Sequence, residues 1–248
     1  MSFDRAADVY ERSRPSYPAA AVDWLLPPEA RTVLDLGAGT GKLTRELVAR
    51  GLDCIAVDPS PKMLAQLTSV SPQVRALEGT GESIPLPDDS VDVVIAAQAW
   101  HWMDPDVAAV EVARVLRPGG RLGLVWNVRD DREPWIAKLG EIINHGQSGE
   151  LLEHPPRVGS QFGELESTVI DWSMQLSRQQ LHELIASRSF LHHTTAGGAA
   201  VGACNRRPVA RHRARDIRSR AIDCAVSHVV LPHDRACQRN RVNHRRLG

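Results

Sequence analysis

The chain has 248 residues, 42% apolar and 24% charged, and its 30 basic and 30 acidic side chains cancel. This is the composition of an ordinary globular protein, and the zero total names neither a polyanion nor a membrane surface as partner. No apolar run approaches the roughly 20 residues that cross a bilayer, the first residues show no basic-then-apolar leader, and the four cysteines lack C-x-x-C spacing. A cytoplasmic protein with no metal site is therefore expected.

Strand and helix patterns alternate along the first two thirds of the chain, the mark of a mostly parallel sheet with helices on both faces. Thr32-Val33-Leu34-Asp35-Leu36 is a short apolar run that ends in glycines, a buried strand. Residues 42–50 place Leu43, Leu47 and Val48 on one helical face, and Gly51 stops the helix. Cys54-Ile55-Ala56-Val57-Asp58 is a second strand. Pro61 opens a helix with the apolar stripe Met63, Leu64 and Leu67. A weaker third strand is predicted over 74–78 and a β-branched fourth over 91–96. Then come a helix over 107–116, a turn at Pro118-Gly119-Gly120 and a fifth strand over 121–126. Further on, a helix over 135–143, a sixth strand over 165–176 and a helix over 179–187 are predicted.

Composition changes near His192. Twelve of the 30 basic residues but only three of the 30 acidic ones follow it, every basic one an arginine, which leaves −9 in residues 1–191 and +9 in 192–248. The tail also holds three of the four cysteines and six of the ten histidines, and no Phe, Trp, Tyr or Met. A basic nucleic-acid arm would usually carry lysines and stacking aromatics. A zinc site would need paired ligands, which Cys204, Cys224 and Cys237 do not form. A shifted reading frame in a GC-rich gene accounts for the composition best. Three segments are thus expected: 1–30 as a helical cap, 31–191 as the main domain, and 192–248 as a poorly ordered tail.

Asp35-Leu36-Gly37-Ala38-Gly39-Thr40-Gly41 lies between a strand and a helix, where glycines permit a tight turn and close approach of a ligand to backbone. The spacing matches neither the dinucleotide G-x-G-x-x-G nor the phosphate-binding P-loop, since Leu36 and Leu43 stand where the latter needs Gly and Ser or Thr. An acidic side chain directly before the glycines suits a ligand with a positive amino group better than a pyrophosphate. Asp58 closes the second strand about twenty residues further on, where a carboxylate can reach two ribose hydroxyls. Its other reading is a cap on the helix that opens at Pro61.

These residues resemble the class I, Rossmann-like, S-adenosylmethionine-dependent methyltransferases over residues 33–126. Asp35 to Gly41 resembles the first motif, and Asp58-Pro59-Ser60 the acidic end of strand two. Gly81-Glu82-Ser83-Ile84-Pro85-Leu86-Pro87-Asp88-Asp89-Ser90-Val91-Asp92 resembles the approach to strand four, and Leu116-Arg117-Pro118-Gly119-Gly120 the turn before strand five. Within that family the chain is similar to the branch called methyltransferase type 11. Tyr10-Glu11-Arg12-Ser13-Arg14-Pro15-Ser16-Tyr17-Pro18 and Ala97-Gln98-Ala99-Trp100-His101-Trp102 look like the trans-aconitate methyltransferase subgroup.

The resemblance implies S-adenosylmethionine as cofactor and a small-molecule methyl acceptor, with a carboxylate or hydroxyl as the methylated group. It implies that Asp35, Gly37, Ala38, Gly39, Thr40 and Gly41 surround the methionine part and ribose, and that Asp58 holds the ribose hydroxyls. Pro59, Met63, Gly81 and Glu82 would lie near adenine and Gln98 at the methionine end, while Tyr10 and Arg14 would close over the cofactor. Met63 also fits simple core packing and Arg14 a solvated charge. His101 is the candidate base, with packing between Trp100 and Trp102 as its plainer role, and Trp102, Trp126 and Asn127 are candidate acceptor contacts. The family's last strand, antiparallel between strands five and six, falls within the tail. Residues 225–231 offer one apolar run for it; otherwise strand five keeps a bare edge and the enzyme is impaired. A nucleic-acid substrate is disfavoured because Gln98-Ala99-Trp100-His101 replaces the base-methylation motif after strand four. A non-catalytic cofactor-binding protein is the remaining alternative.

Overall fold

The computed structural model describes residues 15–130, 132–142, 156–163, 165–182, 184 and 227–231. In chain order the elements are α1 (Ala19–Leu25), β1 (Thr32–Leu36), α2 (Lys42–Val48), β2 (Asp53–Asp58), α3 (Pro61–Val70), β3 (Arg75–Glu78) and β4 (Val91–Ala97). A 3-10 turn follows at Trp100–Trp102, then α4 (Pro105–Val115), β5 (Leu116–Asn127), α5 (Pro134–Ile142), β6 (Glu166–Ile170) and β7 (Ser227–Leu231). The strands form one seven-stranded sheet in the order β3-β2-β1-β4-β5-β7-β6. β1 to β5 run parallel, and β7 is antiparallel to both its neighbours. The Rossmann-like doubly wound fold class is as expected.

The two-residue period of the strands sorts side chains into two cores. Leu34 and Leu36 of β1 pack with Trp100, Ala108, Val112, Leu124 and Trp126 on the α4 face. Val33 packs with Ala21, Leu25, Leu43, Leu47, Leu67 and Val125 on the face of α1, α2 and α3. The described part of the expected N-terminal cap, α1, is thus core material: Ala21, Val22 and Leu25 are fully buried. Gly123 of β5 leaves the space that Leu25 fills, since a Cβ there would lie 2.7 Å from Leu25 Cδ2.

Several sequence expectations change. Strand five starts at Leu116, not at 121, because the Pro118-Gly119-Gly120 segment is absorbed as a bulge. Val91 pairs with Leu116 and Val93 with Arg121, so 117–120 stand opposite Asp92. Gly119 has φ +83°, and a Cβ on Gly120 would lie 2.9 Å from Asp92 O. β6 ends at Ile170, six residues short of the expected limit. β7 supplies the antiparallel strand from inside the tail, with Val125 opposite Val229 and Thr168 opposite Val229 on the other side. The expected bare edge on β5 is therefore filled; the rest of the tail lies outside the described residues.

Residues 173–182 and 184 belong to a second compact unit. Its described part opens a helix with a reciprocal cap: Ser177 N–H donates to Gln180 Oε1 at 2.8 Å, and Gln180 N–H to Ser177 Oγ at 3.2 Å.

Candidate functional site

The sheet order reverses direction between β1 and β4, the switch point where open α/β sheets bind ligands at the carboxyl ends of their strands. Every described candidate residue lies along that edge.

At the end of β1 the chain turns through Gly37 (φ +74°), Gly39 (φ +54°) and Gly41 (φ +84°) before α2. The N–H groups of Gly37 and Ala38 both donate to Val57 O, at 2.8 and 3.1 Å, which pins the turn to β2. A Cβ on Gly37 would strike Ala99 Cβ at 2.5 Å, and one on Gly41 would strike Leu67 Cγ at 2.7 Å. Gly39 differs: its missing Cβ faces open space with nothing within 4 Å. Two glycines are thus required by the protein's own packing, and the third leaves a cradle. Thr40 is buried, and its carbonyl accepts Arg45 Nη1 at 3.0 Å.

Asp35 stands beside Val33 on the α2 face, at an otherwise apolar core position. It is 1% exposed. Thr44 Oγ1 of α2 donates to its Oδ2 at 2.6 Å, while Oδ1 has no hydrogen-bond partner. Burial pushes the carboxyl up to about 7, Thr44 opposes the rise, and the nearby Asp58 charge adds to it. A buried carboxylate with one unserved oxygen is a standing demand for a donor or a cation.

Asp58 is 8% exposed and its two oxygens are used separately. Oδ2 accepts Gly39 N–H and Oδ1 accepts Ser60 N–H, each at 2.8 Å. Each oxygen keeps a further lone pair. The cap on α3 comes from Ser60, whose Oγ accepts Met63 N–H at 3.4 Å, so Asp58 is released from that role. Pro59 is exposed next to it, and Met63 is half-buried at the start of α3.

Gly81 and Glu82 follow β3. No Cβ fits on Gly81, because Met103 Sδ occupies its place, and the Met103 methyl also lies 3.7 Å from the Cβ position of Gly37. Met103 and Ala99 thus shape the turn from the β4 side, and Thr44 serves Asp35; their roles depend on contacts across elements that spacing does not reveal. Glu82 spends its carboxylate locally: Oε1 accepts Asp104 N–H at 2.8 Å. Partial burial works to raise its pKa, but hydrogen bonds from Asp104 N–H, its own N–H and Thr80 hold it below the usual range.

Gln98 follows β4 with φ +56°, a conformation L side chains rarely adopt. Its N–H donates to Val125 O at 2.8 Å and its Nε2 to Asn127 O at 3.1 Å, so the side chain braces β5. Asn127 Nδ2 donates onward to Ser16 O at 3.1 Å. Trp126, expected as an acceptor contact, is 2% exposed; it lies in the core and donates from Nε1 to His101 Nδ1 at 3.3 Å. A neutral imidazole that accepts at Nδ1 carries its proton on Nε2. Trp102 is 65% exposed, with its ring centroid 4.9 Å from that of His101. Tyr10 and Arg14 lie outside the described residues. Among the described residues no cluster of His, Cys, Asp and Glu could hold a metal ion, and no helix is long and apolar enough to cross a membrane.

Residues 34–124 match the family model described as a methyltransferase domain. An uncharacterized methyltransferase of Mycobacterium tuberculosis is 56% identical over 190 residues, which cover 77% of each chain. The chain belongs to the class I S-adenosylmethionine-dependent methyltransferases. A methyltransferase-like protein of Schizosaccharomyces pombe is 40% identical over 195 residues, covering 74% of this chain and 75% of its own. Among solved structures, the methyltransferase complexed with the Haloferax volcanii Trm112 activator shares the fold, with TM-score 0.55, 18% identity and coverage of 93% and 94%.

The residues fit the methyltransferase cofactor, S-adenosylmethionine, on the structure's own terms. The unserved Oδ1 of Asp35 matches the cofactor's ammonium, the cradle at Gly39 admits its backbone-hugging chain, and the open lone pairs of Asp58 match vicinal ribose hydroxyls.

Proposed function

We propose that this methyltransferase acts on a small-molecule carboxylate, forming a methyl ester. The observation that carries the reading is the hydrogen bond from Trp126 to His101 Nδ1. It supports reading His101, the candidate base beside the β4 edge, as the tautomer that carries its proton on Nε2. An imidazole held that way orients an anionic acceptor and does not abstract a proton from one. A carboxylate is ionised at neutral pH and needs no base, whereas a hydroxyl does. A malonyl-[acyl-carrier protein] O-methyltransferase of Methylococcus capsulatus, 43% identical over 109 residues (42% of this chain, 39% of its own), supports an oxygen acceptor.

When bound, the cofactor supplies an electrophilic methyl group on a sulfonium. The chain's own work is then binding and alignment, which can supply much of the barrier reduction. Asp35 takes the ammonium, Asp58 the ribose, and the segment at Gly81 and Glu82 flanks the adenine with Pro59 and Met63. Gln98 holds the β4 and β5 ends in register, and Trp102 and Asn127 border the acceptor side.

The test is a screen of carboxylic acids, alcohols, amines and oligonucleotides with methyl-labelled S-adenosylmethionine. The reading expects label in base-labile esters. Base-stable label on an amine, an ether or a nucleic acid would overturn it. The His101→Gln protein, which keeps a donor and removes the imidazole, is expected to retain at least a tenth of the turnover, against the roughly 100-fold or greater loss on removal of a general base.

A further inference from the structure

The segment between β3 and β4, residues 79–90, carries Gly81 and Glu82 and is irregular: its internal backbone bonds are a bridge between Thr80 and Ser83 and one from Leu86 N–H to Ile84 O, and its Ile84 and Leu86 side chains are buried. Two residues of α4 and its N-cap bond to the middle of it. Asp104, the helix N-cap, donates its N–H to Glu82 Oε1 at 2.8 Å. Glu111 accepts Ile84 N–H at 3.0 Å. Arg114 donates to Ile84 O at 2.9 Å, Leu86 O at 2.7 Å and Asp88 Oδ1 at 2.9 Å. It also forms a two-pronged pair with Glu111, both contacts 2.8 Å. Spacings of seven and three put these residues on one side of the helix, and the segment runs along that side.

Ion pairs this exposed usually add little stability. The side chains here are 29% and 21% exposed. What distinguishes them is that they address three backbone groups in the middle of a loop whose ends are tied separately, by Gly79 N–H to Asp58 O, Asp89 N–H to Arg114 O and Ser90 N–H to Val115 O. Arg114 and the bond from Ile84 together hold Glu111 below the usual carboxylate range against the pull of burial.

We infer that Glu111 and Arg114 are positioning residues for cofactor binding: they splint the 79–90 segment along α4 and so place Gly81 and Glu82 against the adenine end of S-adenosylmethionine. Neither residue is required to touch the cofactor. The inference rests on the reading that Gly81 and Glu82 flank adenine, and it is independent of the acceptor. Arg117 is the internal control. It makes comparable bonds, to Asp92 Oδ1 at 2.6 Å and to Ser90 O at 2.7 Å, at the last residue of the segment and the start of β4, the end remote from Gly81 and Glu82.

The experiment titrates the full chain and its Arg114→Ala, Arg114→Lys, Glu111→Gln, Arg117→Ala and Gly81→Ala variants with S-adenosylhomocysteine by calorimetry, beside thermal melts. Arg114→Ala is expected to weaken binding about tenfold, within the range a displaced site element can cost. Glu111→Gln should weaken it in the same direction, and Arg114→Lys should recover part of the loss. Arg117→Ala should lower the melting temperature and leave affinity within twofold. Equal loss in the Arg117→Ala protein would reduce Arg114 to a general stabiliser and overturn the inference. Loss in Gly81→Ala with none in Arg114→Ala would keep adenine at Gly81 and overturn the splint alone. No loss in either would remove the adenine placement as well. Should Arg114→Ala fail to fold, Glu111→Gln decides by the same criteria.

Discussion

Replacing Asp35 by Asn should stabilise the protein without its cofactor and weaken the protein's hold on it. Asp35 is 1% exposed, and burial raises its carboxyl from 3.8 to about 7. The unfolded chain gives up this proton near pH 4 and the folded chain keeps it to about pH 7. Through this group, then, stability falls as pH rises across that window, at about 1.4 kcal/mol per pH unit, and the deficit is complete above pH 7. The full deficit is roughly 4 kcal/mol. Asn retains an oxygen for Thr44 Oγ1 but sets an NH2 group where Oδ1 has no partner, at a cost of about 1–3 kcal/mol. The Asp35→Asn protein should therefore be more stable by about 1–3 kcal/mol at pH 8, and the difference should move against it by about 3 kcal/mol on going to pH 5, where it is equal to the unaltered protein or up to about 2 kcal/mol less stable. Urea unfolding of both proteins at pH 5, 6, 7 and 8 measures this. A gap that does not change with pH, or an Asp35→Asn protein less stable at pH 8, would refute the reasoning. The same variant should bind S-adenosylhomocysteine at least tenfold more weakly. Below pH 7 the unaltered protein should release a proton on binding, visible as a buffer-dependent heat.

Gly39→Ala and Gly41→Ala should part company in stability. At Gly39 the Cβ meets nothing, so only the positive φ counts, about 1 kcal/mol, yet cofactor affinity should fall at least tenfold because the cradle is filled. At Gly41 the clash with Leu67 adds to the strain, and urea unfolding should show a loss of about 2–4 kcal/mol. Burial, followed by the nearby Asp35 and Asp53 charges, pushes the Cys54 thiol up to about 12. Iodoacetamide at pH 8 should accordingly leave Cys54 unmodified in the folded chain and label it in urea, as read by peptide mapping. A chain truncated after residue 226 loses β7, which bares one edge of β5 and leaves β6 without a partner strand, so it should aggregate where the full chain does not, as measured by light scattering.

The elements around the glycine turn were legible because their determinants are local. The glycines of 37–41 and Asp58 report a turn and a strand end whose placement the parallel sheet dictates. Asp35 stood out as a charge in an apolar run, but its partner Thr44 comes from the next helix and only the packed structure joins them. The positive φ of Gln98 left no trace in its side chain. Trp126 and His101 are 25 residues apart, so their hydrogen bond depends on how β5 lies beside β4. The bulge at 117–120 read as a turn because glycine serves both. The last strand was hardest: Ser227–Leu231 has only three apolar residues, Val229, Val230 and Leu231, in a sequence whose surroundings carry no period, and only pairing on both sides identifies it.

The most direct test of the central claim is a calorimetric titration of the full 248-residue chain with S-adenosylhomocysteine, with Asp58→Ala alongside. The account predicts saturable binding at one site, lost in the variant while its melt remains cooperative. A folded chain that takes up no ligand, or an Asp58→Ala protein that binds as tightly as the unaltered one, would contradict it.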